Sequence, residues 1–425
     1  MPKLLIKNGR VVDPASGFDA VADVAIEGGV IAAVGKNLDA TGAEVFDATG
    51  LIVAPGFIDM HVHLREPGFE HAETIESGAR AAAAGGFTSI CPMPNTSPVN
   101  DNATVTSYIV EKARRHAVVN VFPVGAITKG SKGEELAAIG SMHNAGAVAI
   151  SDDGQPVMNA RMMRRAMEFA RSCGIPVINH CEDLHLSAGG DMHEGLASVR
   201  LGLRGIPGCS EDVMVARDIL LAEVTGVRYH VAHISSRHSV EMVRFAKTRG
   251  LAVTAEATPH HMALADRDMP AYDSNYKMKP PLRSCHDVDA VVEGVVNGAI
   301  DAIATDHAPH PGSEKMQEFE KCPFGILGLE TALGVTLAEL VHTGKIGVPH
   351  MVALFTTGPA KILTLDRGTL ATGAPADVTV FSENREWTYD VNNTFSKSRN
   401  SPFDGKSFRG GPVATIVGGV VVWRV

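Results

Sequence analysis

Between residues 51 and 305, short β-rich runs alternate with helical stretches, and this alternation limits the fold more than any other feature of the 425-residue chain. Eight runs read as strands, at 51–59, 87–92, 118–123, 147–151, 176–180, 228–233, 251–256 and 299–305. Helical patterns fill most of the gaps, at 72–84, 103–116, 160–172, 211–225 and 237–248. Parallel strands each need a crossover, and eight strand–helix units close into a (β/α)8 barrel of roughly 250 to 300 residues. An open, doubly wound sheet is the competing α/β solution. It requires a glycine-rich phosphate turn after an early strand, and neither GxGxxG nor GxxxxGK[ST] occurs.

The two ends of the chain read differently. Short strands at 4–6, 11–12, 21–26 and 30–34 are separated by Asn8-Gly9 and Gly28-Gly29, and 377–381, 413–417 and 420–423 repeat the pattern around Gly410-Gly411 and Gly418-Gly419. Neither end has enough strands to bury a core alone. They are expected to pair into one small composite β-sandwich, residues 1–54 plus 366–425, attached to a TIM-type α/β barrel of residues 55–365.

A net charge of −10 and a sequence pI near 6.0 argue against a nucleic-acid-binding surface. A small anionic substrate stays open, provided its site supplies local positive charge. The six cysteines are scattered without a CxxC pair, which fits a reduced, cytoplasmic chain better than a disulfide framework. Lys3 and Lys7 stand where a signal peptide needs an apolar core, and no apolar run approaches the ~18 residues of a membrane span.

In a barrel the working residues sit at the C-terminal ends of the strands. Residues 56–65 read Gly-Phe-Ile-Asp-Met-His-Val-His-Leu-Arg, so Asp59, His61, His63 and Arg65 follow one another at intervals of two. On a strand all four side chains point the same way. The bland reading is a half-buried strand with a polar face in solvent. The other strand ends decide against it: Ser151-Asp152-Asp153-Gly154 closes the fourth strand, Asn179-His180 the fifth, Ala232-His233 the sixth and Thr305-Asp306-His307 the eighth. Four histidines and two carboxylates exceed what one catalytic zinc takes but suit two ions sharing a bridge. Asp152 and Asp153 both stand at the fourth strand's end.

These motifs resemble the amidohydrolase superfamily and, within it, the dihydroorotase branch. The opening stretch runs Asp59-Met-His61-Val-His63-Leu-Arg65-Glu-Pro-Gly68. It is joined by Pro92-Met-Pro-Asn95-Thr, Ser151-Asp-Asp-Gly154, Lys277-Met-Lys-Pro-Pro-Leu-Arg283, Ala304-Thr-Asp-His-Ala-Pro-His310 and Pro323-Phe-Gly325, with Gly328-Leu-Glu-Thr331 beyond. The resemblance implies two zinc ions, one held by His61 and His63, the other by His180 and His233. It favours Asp153 over Asp152 as the bridge and makes Asp306 both ligand and proton shuttle. Many relatives bridge their metals with a carboxylated lysine on strand four; this chain has no lysine between Lys132 and Lys247. Asp59 is expected outside the ligand set, as a supporting acid.

The implied reaction is the reversible cyclisation of N-carbamoyl-L-aspartate to dihydroorotate, with Arg65, Asn95 and His310 clamping the substrate carboxylate and the backbone at Phe324 and Gly325 meeting the ring. The duller alternatives are Arg65 pairing with Glu66 or Glu70, Asn95 fixing a turn, and His310 idle in its Pro-His-Pro loop. The polar stretch 311–321 reads as a lid or as inert surface. Lys279 stands where the family usually has a small polar residue, either offering charge to the substrate or swinging outward. Arg161, Arg164 and Arg165 read as a solvated helix face. The resemblance also implies a homodimer, with aspartate carbamoyltransferase as a further partner. Competing readings are a hydantoinase or allantoinase opening a neutral ring, and an inactive scaffold for the carbamoyltransferase.

Overall fold

Eight parallel strands close on themselves at the centre of the molecule. The structure, a computed structural model, describes residues 3–425; Met1 and Pro2, at the start of the expected terminal domain, lie outside the described residues. Phe57–Val62 pairs with Phe87–Pro92, which pairs with Asn120–Val121. That third strand resumes as Val124–Gly125, and Ala149–Ile150, Val177–Asn179, Tyr229–Val231, Val253–Ala257 and Ala302–Ile303 follow in parallel order. The seam is closed where Val62 bridges His307 and the His63 amide donates to the His307 carbonyl at 2.8 Å. All six residues of Phe57–Val62 are buried, as expected of a strand covered on both faces.

The crossovers are helices whose ends are written in the sequence. Ile75–Ala84 begins at Thr74, whose hydroxyl accepts the Ser77 amide in a capping box. Ala103–His116 and Ala160–Cys173 are capped by Asn102 and Asn159, and Cys209–Thr225 ends at Gly226 in the left-handed conformation. Arg237–Thr248, Cys285–Val296 and Val348–Phe355 complete most of the ring.

The apolar run 51–59 is not one strand. Ile52–Pro55 belongs to the sheet built from the chain ends, parallel to Lys3–Asp13 and antiparallel to Val378–Thr388. The barrel strand starts only at Phe57, after Gly56. A Cβ at Gly56 would lie 2.1 Å from Thr88 Oγ1, so the chain can change partners there only without a side chain. Ile52–Pro55 therefore stitches the N-terminal strands to the C-terminal ones. The eight-stranded sheet folds over, with Val30 bridging Pro375, and closes on Leu4, Val11, Val24, Ile31, Val53, Val378 and Ile416. Phe381 of this sheet reaches the barrel floor, 5.8 Å from Phe57, which stacks on Phe355 at 5.0 Å.

Candidate metal centre and substrate cleft

Six side chains from five strand ends meet inside the upper rim. His63 Nε2 lies 2.9 Å from Asp306 Oδ1 and 3.5 Å from Asp153 Oδ2. His61 Nε2 lies 3.3 Å from Asp153 and 3.4 Å from Asp306. From the other side His233 Nε2 and His180 Nδ1 approach Asp153 Oδ1 at 3.5 and 3.7 Å. Ligand atoms within 4.8 Å of one another form three groups: His61, His63 and Asp153; Asp153, His180 and His233; and His61, His233 and Asp306. Asp153 is shared by the two histidine pairs, as a bridge requires. All six residues are buried.

The donor set fits a metal. His61 Nε2 and Asp153 Oδ1 are buried without a hydrogen-bond partner, and an orphaned buried polar atom is costly unless something binds it. The ring orientations also suit ligation. His61 Nδ1–H donates to Glu256 at 2.7 Å, His63 Nδ1–H to Asn95 Oδ1 at 2.9 Å and His180 Nε2–H to Glu182 at 3.0 Å. Each turns the other nitrogen to the cluster: His63 Nε2 meets Asp306 Oδ1 at 2.9 Å, His180 Nδ1 meets His233 Nε2 at 2.9 Å, and His61 Nε2 has no hydrogen-bond partner. Burial alone would raise the Asp306 pKa, but the charge of His61 and the hydrogen bond from His63 hold it below the usual carboxylate value. The same balance keeps Asp153 well below it.

Two aspartates next to the cluster do other work. Asp152 accepts the amides of Ile127 and Thr128 at 2.8 and 3.1 Å and the Thr128 hydroxyl, pinning the loop after strand three; burial pushes its pKa up to about 6. Asp59 accepts the Thr305 hydroxyl at 2.5 Å and the Thr305 and His61 amides, both at 3.1 Å, and so ties the first strand to the eighth. Burial raises its pKa to about 7.

The even alternation from Asp59 to Arg65 breaks after His63. The strand ends at Val62, and Arg65 takes φ = +60°, so it is aimed by a turn and not by the pleat. His233 (φ +32°) and Asp306 (φ +45°) are bent in the same way. Non-glycine residues pay for this conformation, and such strain gathers at functional sites. Only eight non-glycine residues take positive φ among the described residues, and three of them are here.

A cleft of 340 Å³ opens over the cluster, lined by His63, Asp153, His180 and Asp306 on the floor and Arg65, Asn95, Lys279, His310 and Phe324 on the walls. Arg65 does not pair with Glu66 or Glu70; its Nε donates to the Pro309 carbonyl and its Nη2 to His310 Nε2, both at 3.1 Å. Asn95 gives its Oδ1 to His63 and keeps its amide as a donor. Gly325 is absent from this lining. Its amide donates to Lys277 O at 2.9 Å, its carbonyl accepts Asn400 Nδ2 at 2.9 Å, and a Cβ there would meet His310 Cδ2 at 2.7 Å. Its backbone is thus spent inside the protein, and the small residue instead makes room for the His310 ring. Lys279 lines the cleft but turns to Glu182 Oε1 at 2.8 Å, the carboxylate that also holds His180. Arg161, Arg164 and Arg165 are exposed.

Two supporting residues carried a sequence signal that went unused. Glu182 stands two residues after His180, the same spacing as His61 and His63. Glu256, fully buried near the end of the seventh strand, accepts both His61 and His230 (3.1 Å). A glutamate closing an apolar strand in a chain with a histidine-rich rim marks it.

Residues 50–239 match the dihydro-orotase-like family model. A dihydroorotase of Solibacter usitatus is 71% identical over 420 residues, covering 99% of this chain and 98% of its own. The chain belongs to the dihydroorotase family. A second member, from Pelotomaculum thermopropionicum, is 56% identical over 422 residues, with 99% of both chains covered. In fold the chain also matches an L-hydantoinase (dihydropyrimidinase) from Arthrobacter aurescens, with a TM-score of 0.89 at 27% identity over 100% of this chain and 96% of that one. A dihydropyrimidinase from Brevibacillus agri follows at 0.87 and 26%, over 99% and 95%. Dihydroorotases and hydantoinases thus share this scaffold, and the choice between their substrates falls to the cleft.

Proposed function

We infer that the chain is a cyclic amide hydrolase with dihydroorotase activity, closing N-carbamoyl-L-aspartate to (S)-dihydroorotate with loss of water, reversibly, in de novo pyrimidine (UMP) biosynthesis. The observation that carries this reading is the placement of Arg65 and Asn95 on the wall of the cleft whose floor is the His/Asp cluster. A guanidinium and an amide there suit a substrate with a carboxylate beside its reacting amide.

Two zinc ions fit the donor set, one on His61 and His63 and one on His180 and His233, with Asp153 shared and Asp306 completing it. When bound they supply an acidified water and a polarised carbonyl. The protein's part follows from its own groups. Arg65 and Asn95 fix the carboxylate, which sets the ring amide over Asp306. Asp306, ionised and on the floor, accepts the proton of the attacking water and returns it to the leaving ring nitrogen. Glu256, Asn95 and Glu182 hold the three imidazoles in the tautomers this needs. Family membership also supports a cytoplasmic homodimer with aspartate carbamoyltransferase as a candidate partner; analytical ultracentrifugation alone and with that enzyme tests both.

The fold likeness to hydantoinases favours a second reading, opening of neutral rings. Turnover of dihydroorotate, hydantoin and dihydrouracil by the intact protein separates the two. Dihydroorotate is expected to be preferred. In Arg65→Met its kcat/KM falls by at least about 30-fold, since losing one partner of a buried charge pair costs about 2–5 kcal/mol, while any hydantoin rate stays unchanged. Faster turnover of hydantoin than of dihydroorotate by the unmodified protein rules the assignment out.

A further inference from the structure

The four imidazoles of the metal centre are backed by unlike partners. Behind His61 stands Glu256, a fully buried carboxylate whose second oxygen meets His230 Nε2 at 3.1 Å. Behind His63 stands the neutral amide of Asn95. Behind His180 stands Glu182, whose second oxygen lies 2.8 Å from Lys279 Nζ. His233 Nδ1 is buried and has no hydrogen-bond partner. Of the two carboxylates behind candidate ligands, only Glu182 is paired with an ammonium among the described residues.

Lys279 is held in that place. Its side chain is 27% exposed, against 5% for Glu182. Its Nζ lies 5.2 Å from the centre of the Phe324 ring, which Lys277 Nζ also approaches, at 4.5 Å. The contact with Glu182 is one of charge, because Oε1 makes no aligned hydrogen bond. Lys279 lines the cleft, so the pair sits at the edge of the metal centre and not on the outer surface.

A carboxylate that accepts the outer N–H of a ligating imidazole orients the ring and raises its basicity, and with that its hold on a metal. An ammonium on the far oxygen draws on the same negative charge. Glu256 meets no such competitor, since an imidazole can give it a hydrogen bond without carrying charge. The His61–His63 half of the centre therefore has behind it a carboxylate that no lysine or arginine neutralises. The His180–His233 half has an ion pair and one ring nitrogen without a partner. We propose that Lys279 is a positioning residue that acts through Glu182 and His180: its charge offsets that of Glu182 and loosens the metal held by His180 and His233. The lysine thereby sets the two halves of the centre apart in affinity, with no contact to substrate required.

The inference rests on the two-zinc reading given above, and its test separates the two. Protein stripped of metal is titrated with zinc against a chromophoric chelator at pH 7. Substrate is left out, so that any contact of Lys279 with a carboxylate ligand does not enter the measurement. Two binding steps are expected. In Lys279→Met the weaker step is expected to tighten by about 3- to 10-fold. That is less than the about 10–100-fold worth of a supporting partner, because a partly exposed ammonium is screened. The tighter step is expected to stay unchanged. Lys279→Gln, a polar neutral replacement, is expected to behave as Lys279→Met does, and Lys279→Arg, which restores the charge, as the unmodified protein does. Glu182→Gln is expected to weaken the same step.

A lysine that only packs against Phe324 would give no change, or a loss of affinity, in Lys279→Met. That result overturns the proposal, as does equal tightening of both steps, which would mark a general effect of charge. Absence of zinc binding by the unmodified protein overturns the metal reading and the proposal with it. Two zinc steps that ignore Lys279 leave that reading standing and sink the proposal alone.

Discussion

The floor of the site and its walls are built on different principles. Every candidate ligand on the floor sits at or just beyond the end of a barrel strand, and neighbouring strands fix its position through the ladder. The walls are loops: Arg65 on a turn with positive φ, Asn95 beside Pro94, His310 and Phe324 on either side of the helix Gly312–Lys315. The floor is set by strands that pair with one another, whereas the walls are loops, the part of a barrel that is free to differ with the substrate. The comparison is open to attack from both sides.

The sharpest attack is on the floor. Asp306→Ala is expected to lower kcat by about 10²–10⁴-fold, the usual worth of a positioned acid–base group, while metal analysis still finds part of the metal bound. Asp153→Ala removes the shared carboxylate and is expected to empty the site further than Asp306→Ala does. Near-normal turnover in Asp306→Ala would mean that the proton travels by another group and that the floor is only a metal holder.

How far the sequence spoke for each region follows from the same distinction. Strand ends are legible because the β–α alternation fixes them and the barrel aims them inward, so His61, His63, Asp153, His180, His233 and Asp306 were readable as one set. The break of the apolar run at Gly56 was not readable, because partner exchange depends on a close approach to Thr88 that has no local signature. Arg65 reaches the expected cleft, but by a turn with positive φ that the even spacing does not foretell, since the pleat stops at Val62. Gly325 was assigned a substrate contact from its motif alone. Its backbone groups turned out to be committed to Lys277 and Asn400, contacts between segments far apart in sequence. Lys279 looked like a choice between substrate and solvent, and Glu182, nearly a hundred residues earlier, was the third answer.

A smaller effect tests whether the floor's rigidity is supplied from behind the ligands. Glu256 carries no expected metal contact, yet it accepts His61 Nδ1 at 2.7 Å, His230 at 3.1 Å and the His233 amide at 3.2 Å. His61 and Glu256 reinforce each other: burial opposes the charge of Glu256, but His61 and then His230 hold its pKa far below the ordinary value. Glu256→Gln keeps the shape and removes the charge. It is expected to weaken metal affinity by about 10–100-fold, measured by competition with a chelator, with a much smaller loss of kcat once metal is saturating. Unchanged affinity would show that strand geometry alone orients the imidazoles.

The smallest effect is on the wall, where Lys315 holds the loop that carries Phe324. Its ammonium has carbonyl partners and no carboxylate within salt-bridge distance among the described residues, and burial lowers its pKa from 10.5 to about 8. Between those values the unfolded chain binds more protons at this lysine than the folded one, so the unfolding free energy rises with pH. Below pH 8 the cost of the buried charge is present in full, and above 10.5 it is gone. Lys315→Met has no such group. The unfolding free energy of the unmodified protein minus that of the variant is therefore expected to rise by roughly 2 kcal/mol between pH 7.5 and 9.5, read from urea unfolding at both values. A difference that stays flat would mean the lysine is solvated or paired in the folded state, and the loop would then be as firmly set as the strand ends beneath it.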